Sequence, residues 1–201
     1  MRALRIAGIG VAAALAAAVV VILRSTREPT YAGKPLTQWI NEWDEAAHGV
    51  SAQGGLERML KIAESETAVR AIGSNAVPTL LSLLTNKPLP KDRRSANQGV
   101  AFRGFHILRQ EAKDALPALV HLAKDPDQEM RYMALSCLRE LDLDERDAVT
   151  AFVPLLRDGD RNIRFYAAEA LCGYPEQAEK AGVFELFPPL RAFERTTNDA
   201  R

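Results

Sequence analysis

Residues 115–141 (ALPALVHLAKDPDQEMRYMALSCLREL) overlay residues 148–174 (AVTAFVPLLRDGDRNIRFYAAEALCGY) at a spacing of 33. At that offset Leu119 meets Phe152, Val120 meets Val153 and Leu122 meets Leu155. Asp125 then meets Asp158, Met130 meets Ile163, Arg131 meets Arg164, Ala134 meets Ala167 and Leu138 meets Leu171. An earlier copy begins at Asn75-Ala-Val-Pro78, where Leu80, Leu81 and Leu83 take the places of Leu119, Val120 and Leu122. Its second half, near Asn97 to Gln110, aligns after an insertion around Lys87–Ser95. Each copy reads as two amphipathic helices, and a period of this length predicts an α-solenoid of antiparallel helix pairs. One such pair has too little apolar surface to offset its ordering entropy, whereas stacked pairs share a continuous core. Small residues at repeated places (Ala134, Ala167, Ala168, Ala170) let neighbouring helices approach closely.

The 201-residue chain divides around this array. Ile6 to Leu23 carries no charge; as a helix it would span roughly 27 Å, close to the hydrocarbon thickness of about 30 Å. A cleaved signal peptide has a shorter apolar stretch followed by a small-x-small site. Here the small residues lie inside the run, and Val19 to Leu23 continue it to Arg24. Residues 1–24 therefore read as a transmembrane signal anchor, with removal as a signal the alternative. Arg2, Arg5 and the amino group outweigh Arg24 and Arg27, which Glu28 offsets. The N-terminus is then cytoplasmic and the body exported, or secreted if the signal is cut. Residues 25–35, with two prolines and a glycine, read as a linker. Residues 36–65 make an N-terminal helical cap, 66–194 the repeats and 195–201 a tail. Within the cap, Leu36, Trp39, Ile40 and Trp43 share one helix face; the two tryptophans either cover the first core layer or anchor at a membrane interface. Gly54-Gly55 breaks the chain before Leu56–Ala63, and Thr67–Ile72 forms a further short helix. Glu179–Glu194 supplies the last one.

Asp125 with Arg131, and Asp158 with Arg164, resemble HEAT repeats, in which a turn Asp and a second-helix Arg recur once per unit and form a ladder. Ile163-Arg-Phe-Tyr-Ala-Ala-Glu-Ala-Leu-Cys-Gly173 is similar to the second-helix pattern of that family, over roughly residues 66–174. The first unit departs, with Asn86 for the Asp and Gln98 for the Arg, so the ladder is expected to be interrupted there. Tyr31-Ala-Gly-Lys-Pro-Leu36-x-x-Trp39 resembles a lead-in of membrane-tethered bacterial HEAT proteins. Asp125 precedes Pro126, which places it at a helix N-cap, and Asp158 holds the equivalent place.

The chemistry of enzymes is hard to find. Two cysteines exclude a disulfide framework or a Cys-rich zinc module; Cys137 and Cys172 are out of phase with the repeat and read as packing residues. His48, His106 and His121 form no H-E-x-x-H, and the His-Glu pairs of the iron-dependent HEAT-like hydroxylase are absent. His121 reads as a surface residue. No P-loop, G-x-G-x-x-G or G-x-S-x-G occurs. Asp142, Asp144, Glu145 and Asp147 read as a solvated inter-repeat turn. No catalytic residue, cofactor or metal is expected. The balanced total of 26 basic and 26 acidic side chains includes five charges bordering the apolar run. Without them 22 basic face 25 acidic, a balance that disfavours nucleic-acid binding.

What remains is binding. Tyr132 and Phe165 follow the ladder arginines and would form an aromatic row, either as interface anchors or as inter-repeat filling. Arg139 and Glu169 lie further along the same helices as polar rims. Lys91, Arg93 and Arg94, in the inserted segment, form either a plain loop or a contact for anionic lipid or an acidic partner. The expected function is a non-enzymatic scaffold that binds a protein partner and is tethered to a membrane. The family resemblance leaves two alternatives: a HEAT-like lyase attaching bilin chromophores, and a nucleic-acid-binding module like the HEAT-like DNA glycosylases.

Overall fold

Apolar residues at helical spacing dictate paired helices, and the computed structural model, which describes residues 28–49, 54–86 and 89–187, contains them in register. The expected anchor (1–24), part of the expected linker and the tail (195–201) lie outside the described residues. Among the described residues, no helix is long and apolar enough to cross a membrane.

The described part of the stretch expected as a linker, residues 28–35, holds a hairpin. Thr30–Tyr31 (β1) pairs antiparallel with Lys34–Pro35 (β2). The turn between them puts Ala32 at φ 47° and Gly33 at φ 80°, the left-handed conformation that a two-residue hairpin needs. The hairpin delivers the chain into α1, Leu36–His48. Pro35 gives that helix no side-chain cap; the Glu28 carboxylate accepts the Thr37 N–H instead. Lys34 lies 4.0 Å from the Trp39 ring centre, and the Trp39 indole donates to the Tyr31 carbonyl at 3.1 Å. Trp39 and Trp43 are both buried, at 2% and 7% exposure, which makes them core residues rather than interface anchors.

Helix α2 runs unbroken from Gly55 to Ile72 and ends at Gly73, φ 58°. The two short helices expected at 56–63 and 67–72 are thus one, and the boundary drawn at 65/66 falls inside it. The Arg58 guanidinium donates to the Ala46 and Ala47 carbonyls at 2.8 and 2.9 Å, closing the C-terminus of α1. A 3-10 turn at Gly73–Ala76 leads to α3, Val77–Thr85, and then α4, Lys91–Leu108. Lys91, Arg93 and Arg94, expected in an inserted loop, occupy the first turns of α4. A 3-10 segment at Arg109–Ala115 leads to α5, Leu116–Leu122, followed by α6, Gln128–Glu140. Helix α7, Glu145–Phe152, tightens into 3-10 geometry at Val153–Arg157, where Pro154 lacks the N–H a regular helix uses. Helix α8 spans Arg161–Leu171. Of the helix expected at 179–194, residues 188–194 lie outside the described residues; up to Phe187 the chain forms α9, Pro175–Lys180, and α10, Val183–Leu186, separated by Gly182 at φ 70°.

First and second helices pair within each unit, and the second helices α2, α4, α6 and α8 stack in sequence order. One continuous apolar core runs through all the units. The helices close in at Gly104 on α4, where an added Cβ would collide with both Leu80 δ-methyls and approach Ile40 Cδ1 to 3.1 Å.

Candidate interaction surface

The turns between helices fix the second helices in space. Asp127 caps α6, its Oδ1 accepting the Glu129 N–H at 3.0 Å, and Asp160 caps α8 by accepting from Asn162 and Ile163 at 2.8 and 3.1 Å. The caps are therefore Asp127 and Asp160, two residues beyond the expected Asp125 and Asp158. Those two residues instead accept the N–H of the capping residue itself, at 2.9 and 2.8 Å. Each turn thus carries two carboxylates with separate backbone donors.

Arg131 then joins two units. Its Nη1 donates to the Asp125 and Pro126 carbonyls of its own turn, at 3.1 and 3.2 Å. Its Nε and Nη2 meet both oxygens of Asp158 in the next unit, at 2.9 and 3.2 Å. The fork matches the carboxylate geometry, and Asp158 is only 8% exposed. Burial pushes the Asp158 carboxyl up, but the Arg131 guanidinium and the Asp160 N–H outweigh it and hold it below its ordinary value. Arg131 is raised in turn by its hydrogen bonds to Asp158. Arg164 repeats the first half of the arrangement, donating to the Asp158 and Gly159 carbonyls at 2.8 and 3.1 Å.

With the second helices so fixed, aromatic rings line up across them. Tyr132 on α6 and Phe165 on α8 are 41% and 39% exposed. They do not meet directly; Tyr166 stands between, 5.8 Å from Tyr132 and 5.7 Å from Phe165 between ring centres. Phe187 extends the row, 6.1 Å beyond Phe165. All three contacts are edge-to-face, a favoured aromatic geometry. Arg139 and Glu169 pair with one another at 2.7 Å, and the Arg139 guanidinium lies 5.2 Å from the Tyr166 ring. Tyr132 also borders a groove of about 380 Å³ lined by Asp127, Gln128, Glu129, Asp160 and Asn162. Burial and then the neighbouring Tyr166 push the Tyr132 phenol up.

The remaining candidates lie elsewhere. Lys91 and Arg93 are exposed on α4 of the preceding unit, and Arg94 donates to the Leu89 carbonyl at 3.4 Å. Asp144 caps α7 by accepting the Asp147 N–H at 2.9 Å, while Lys113 bridges Asp144 and Asp147 at 3.0 and 2.7 Å. That acidic run is therefore a cap and an ion-pair site. Burial pushes the Cys137 thiol far up, away from thiolate chemistry. His121 is exposed. Among the described residues, no three His, Cys, Asp or Glu side chains converge to hold a metal.

A sequence model of HEAT repeats matches residues 77–172 and 116–187, together more than half of the chain. The protein belongs to the HEAT-repeat family. No curated protein and no solved structure matched it. HEAT repeats mediate protein interactions, and in this HEAT array the exposed rings lie on the second helices, along the stack. Tyr166 is the residue of this candidate surface that repeat spacing does not reveal. Its counterpart one unit earlier is Met133, so no repeated aromatic marked it.

Proposed function

We propose that this HEAT protein is a non-enzymatic docking module whose partner seats on the row Tyr132–Tyr166–Phe165–Phe187. The observation that carries this is the pair of half-exposed rings, Tyr132 and Phe165, held in line by Tyr166 on helices that the turn network orients. Rigid aromatics offer large contact area at low entropic cost, which is why they concentrate at interfaces. The partner is a protein rather than a nucleic acid, because the groove beside Tyr132 presents Asp127, Glu129 and Asp160, which would repel phosphate. The apolar run Ile6–Leu23 tethers the module to a membrane, with the body on the exported side.

Affinity capture from detergent-solubilised membranes, followed by mass spectrometry, tests both parts. Tyr132→Ala with Phe165→Ala reduces recovery of the captured partner about tenfold or more, with helicity and melting nearly unchanged. Collapse of the fold in the double variant would place the rings in the core and sink the proposal. Peptides from residues 1–24 in the captured protein support the uncleaved anchor; a mature terminus after residue 18 refutes it.

A further inference from the structure

The described chain ends on the aromatic row itself. Phe187, its last residue, is the outermost ring, 6.1 Å from Phe165. It has already left helical geometry, at φ −135° and ψ 72°, and Pro188-Pro189 follow it in the sequence. A proline keeps the residue before it out of helical geometry and has no N–H to donate to a helix. Helix α10 therefore stops here, and the chain departs from the end of the row.

The spacing of the rings suits an extended chain running back along them. From Phe187 the ring-to-ring steps are 6.1 Å to Phe165, 5.7 Å to Tyr166 and 5.8 Å to Tyr132. Alternate residues of an extended segment share one side and advance about 6.6 Å per pair. Counted from Phe187, that register brings Pro189 to Phe165, Arg191 to Tyr166 and Phe193 to Tyr132. Arg195 comes next, at the groove that Tyr132 borders. An apolar ring meets an aromatic at Pro189 and Phe193, and a guanidinium meets one at Arg191.

The charges agree with that register. Asp127, Glu129 and Asp160 line the groove and no cation does. Arg131 is taken up by Asp158 and two carbonyls of its own turn, and Arg164 by the Asp158 and Gly159 carbonyls. Lys124, Arg157 and Arg161 are exposed around the same two turns but lie outside the lining. Arg191 gains less, because Glu169 beside Tyr166 already pairs with Arg139, so the electrostatic preference rests on Arg195. Glu194 alternates to the other side of the segment, and Asp199 and Arg201 fall past the groove. We infer that residues 188–196 fold back along the aromatic row and occupy it, with Arg195 in the acidic groove, so that a partner must displace them. The displacement rests on the row being the partner site proposed above; the occupancy does not.

The test uses the full chain in phosphatidylcholine nanodiscs. Gln128→Cys with Thr196→Cys sets one thiol at the groove and one beside Arg195 without removing a charge. His121→Cys with Thr196→Cys moves the first thiol to an exposed position on α5 and serves as the control. Under oxidised glutathione, peptide mapping by mass spectrometry is expected to show the 128–196 disulfide forming within one chain about tenfold or more faster than the 121–196 disulfide. Adding Phe193→Ala with Arg195→Glu removes most of that difference. In the chain without added cysteines, the same two tail substitutions raise recovery of the captured partner. Equal rates for the two disulfides, or a difference indifferent to the tail substitutions, overturn the inference. So do disulfides formed only between chains, which would give the row to a second copy. Unchanged partner recovery in the tail variant overturns the displacement. If Tyr132→Ala with Phe165→Ala abolishes the fast disulfide yet spares partner capture, the tail still belongs on the row and the partner reading alone falls.

Discussion

Between α6 and α8 the joint lies in the turns, where Arg131 holds two backbone carbonyls of its own unit and the Asp158 carboxylate of the next. Between the first hairpin and α4 it lies in the helix bodies. There Arg103 pairs with Asp44, Trp43 packs 5.6 Å from the His106 ring, and Gly104 lets Leu80 and Ile40 close in. Asn86 and Gln98 stand where the turn network would need Asp and Arg, so the N-terminal joint had to be made another way. The two joints show that stacking requires only a shared core, and that the polar link can move from turn to helix without changing the architecture.

Both tryptophans, Trp39 and Trp43, belong to the first hairpin, so indole fluorescence reports that end while far-ultraviolet circular dichroism reports the whole array. Trp43→Ala should have the largest effect, about 4 kcal/mol of lost stability, because it empties a core position and strips Glu66 of its indole donor. Urea unfolding followed by circular dichroism measures it. Asp158→Ala should cost about 3 kcal/mol by leaving the largely buried Arg131 fork unpaired. If the C-terminal joint is autonomous, the dichroism midpoint falls while the Trp fluorescence midpoint holds. Coincident shifts would show that the two joints unfold as one unit.

A smaller effect has the opposite sign. The Ser65 hydroxyl is buried on α2 with no hydrogen-bond partner, so Ser65→Ala should stabilise by about 1 kcal/mol. A destabilised Ser65→Ala protein would mean that the hydroxyl is satisfied in solution.

Acid sharpens the comparison further. The hydrogen bond from Arg103 holds Asp44 below its ordinary value against the opposing effect of burial, and Asp158 is held down as well. A depressed folded value means that the stabilisation is complete above the unfolded carboxylate range, near 3.8. It is lost as pH falls through the lower folded values. Melting temperature should therefore be flat from pH 7 to about 5 and fall below about 4. Asp44→Asn should flatten the acid limb seen by fluorescence, and Asp158→Asn the limb seen by dichroism alone. An unchanged limb in either variant would show that its ion pair adds no pH-dependent stability. Smallest of all, Arg139→Ala should change stability by no more than about 0.5 kcal/mol, since its pair with Glu169 is well exposed. Equilibrium unfolding by dichroism would expose a larger cost, and with it a structural role for the Tyr166 contact.

The repeat made the array legible because each unit must present the same apolar face to its neighbours, and Leu119, Met130, Ala134 and Leu138 all lie in that core. Trp39 and Trp43 were legible as a helix face for the same reason. The cap positions were not. Asp125 and Asp127 both have N-terminal chemistry, and only the path of the turn decides which one accepts helical N–H groups. The start of α4 is hidden because Lys91 to Arg94 carry no apolar period, and the continuity of α2 is hidden because Glu64-Ser-Glu66 interrupts one. In the candidate surface, Tyr132 and Phe165 could be read from their phase. Tyr166 could not, since it gains its neighbours only when two units stack. The motif Tyr31-Ala-Gly-Lys-Pro-Leu36-x-x-Trp39, read only as a lead-in, is a hairpin. Its Gly33 turns the chain, its Lys34 lies over the Trp39 ring, and its Tyr31 carbonyl receives the indole.

The Arg131 fork has one more implication, for how such a chain can grow. Because the arginine takes hold of its own turn with one nitrogen and the following turn with the other two, a segment of one period carries both a plug and a socket. A duplicated stretch of that length, inserted in phase, would arrive with the means of coupling at either border, so lengthening the array demands no new invention at the seam.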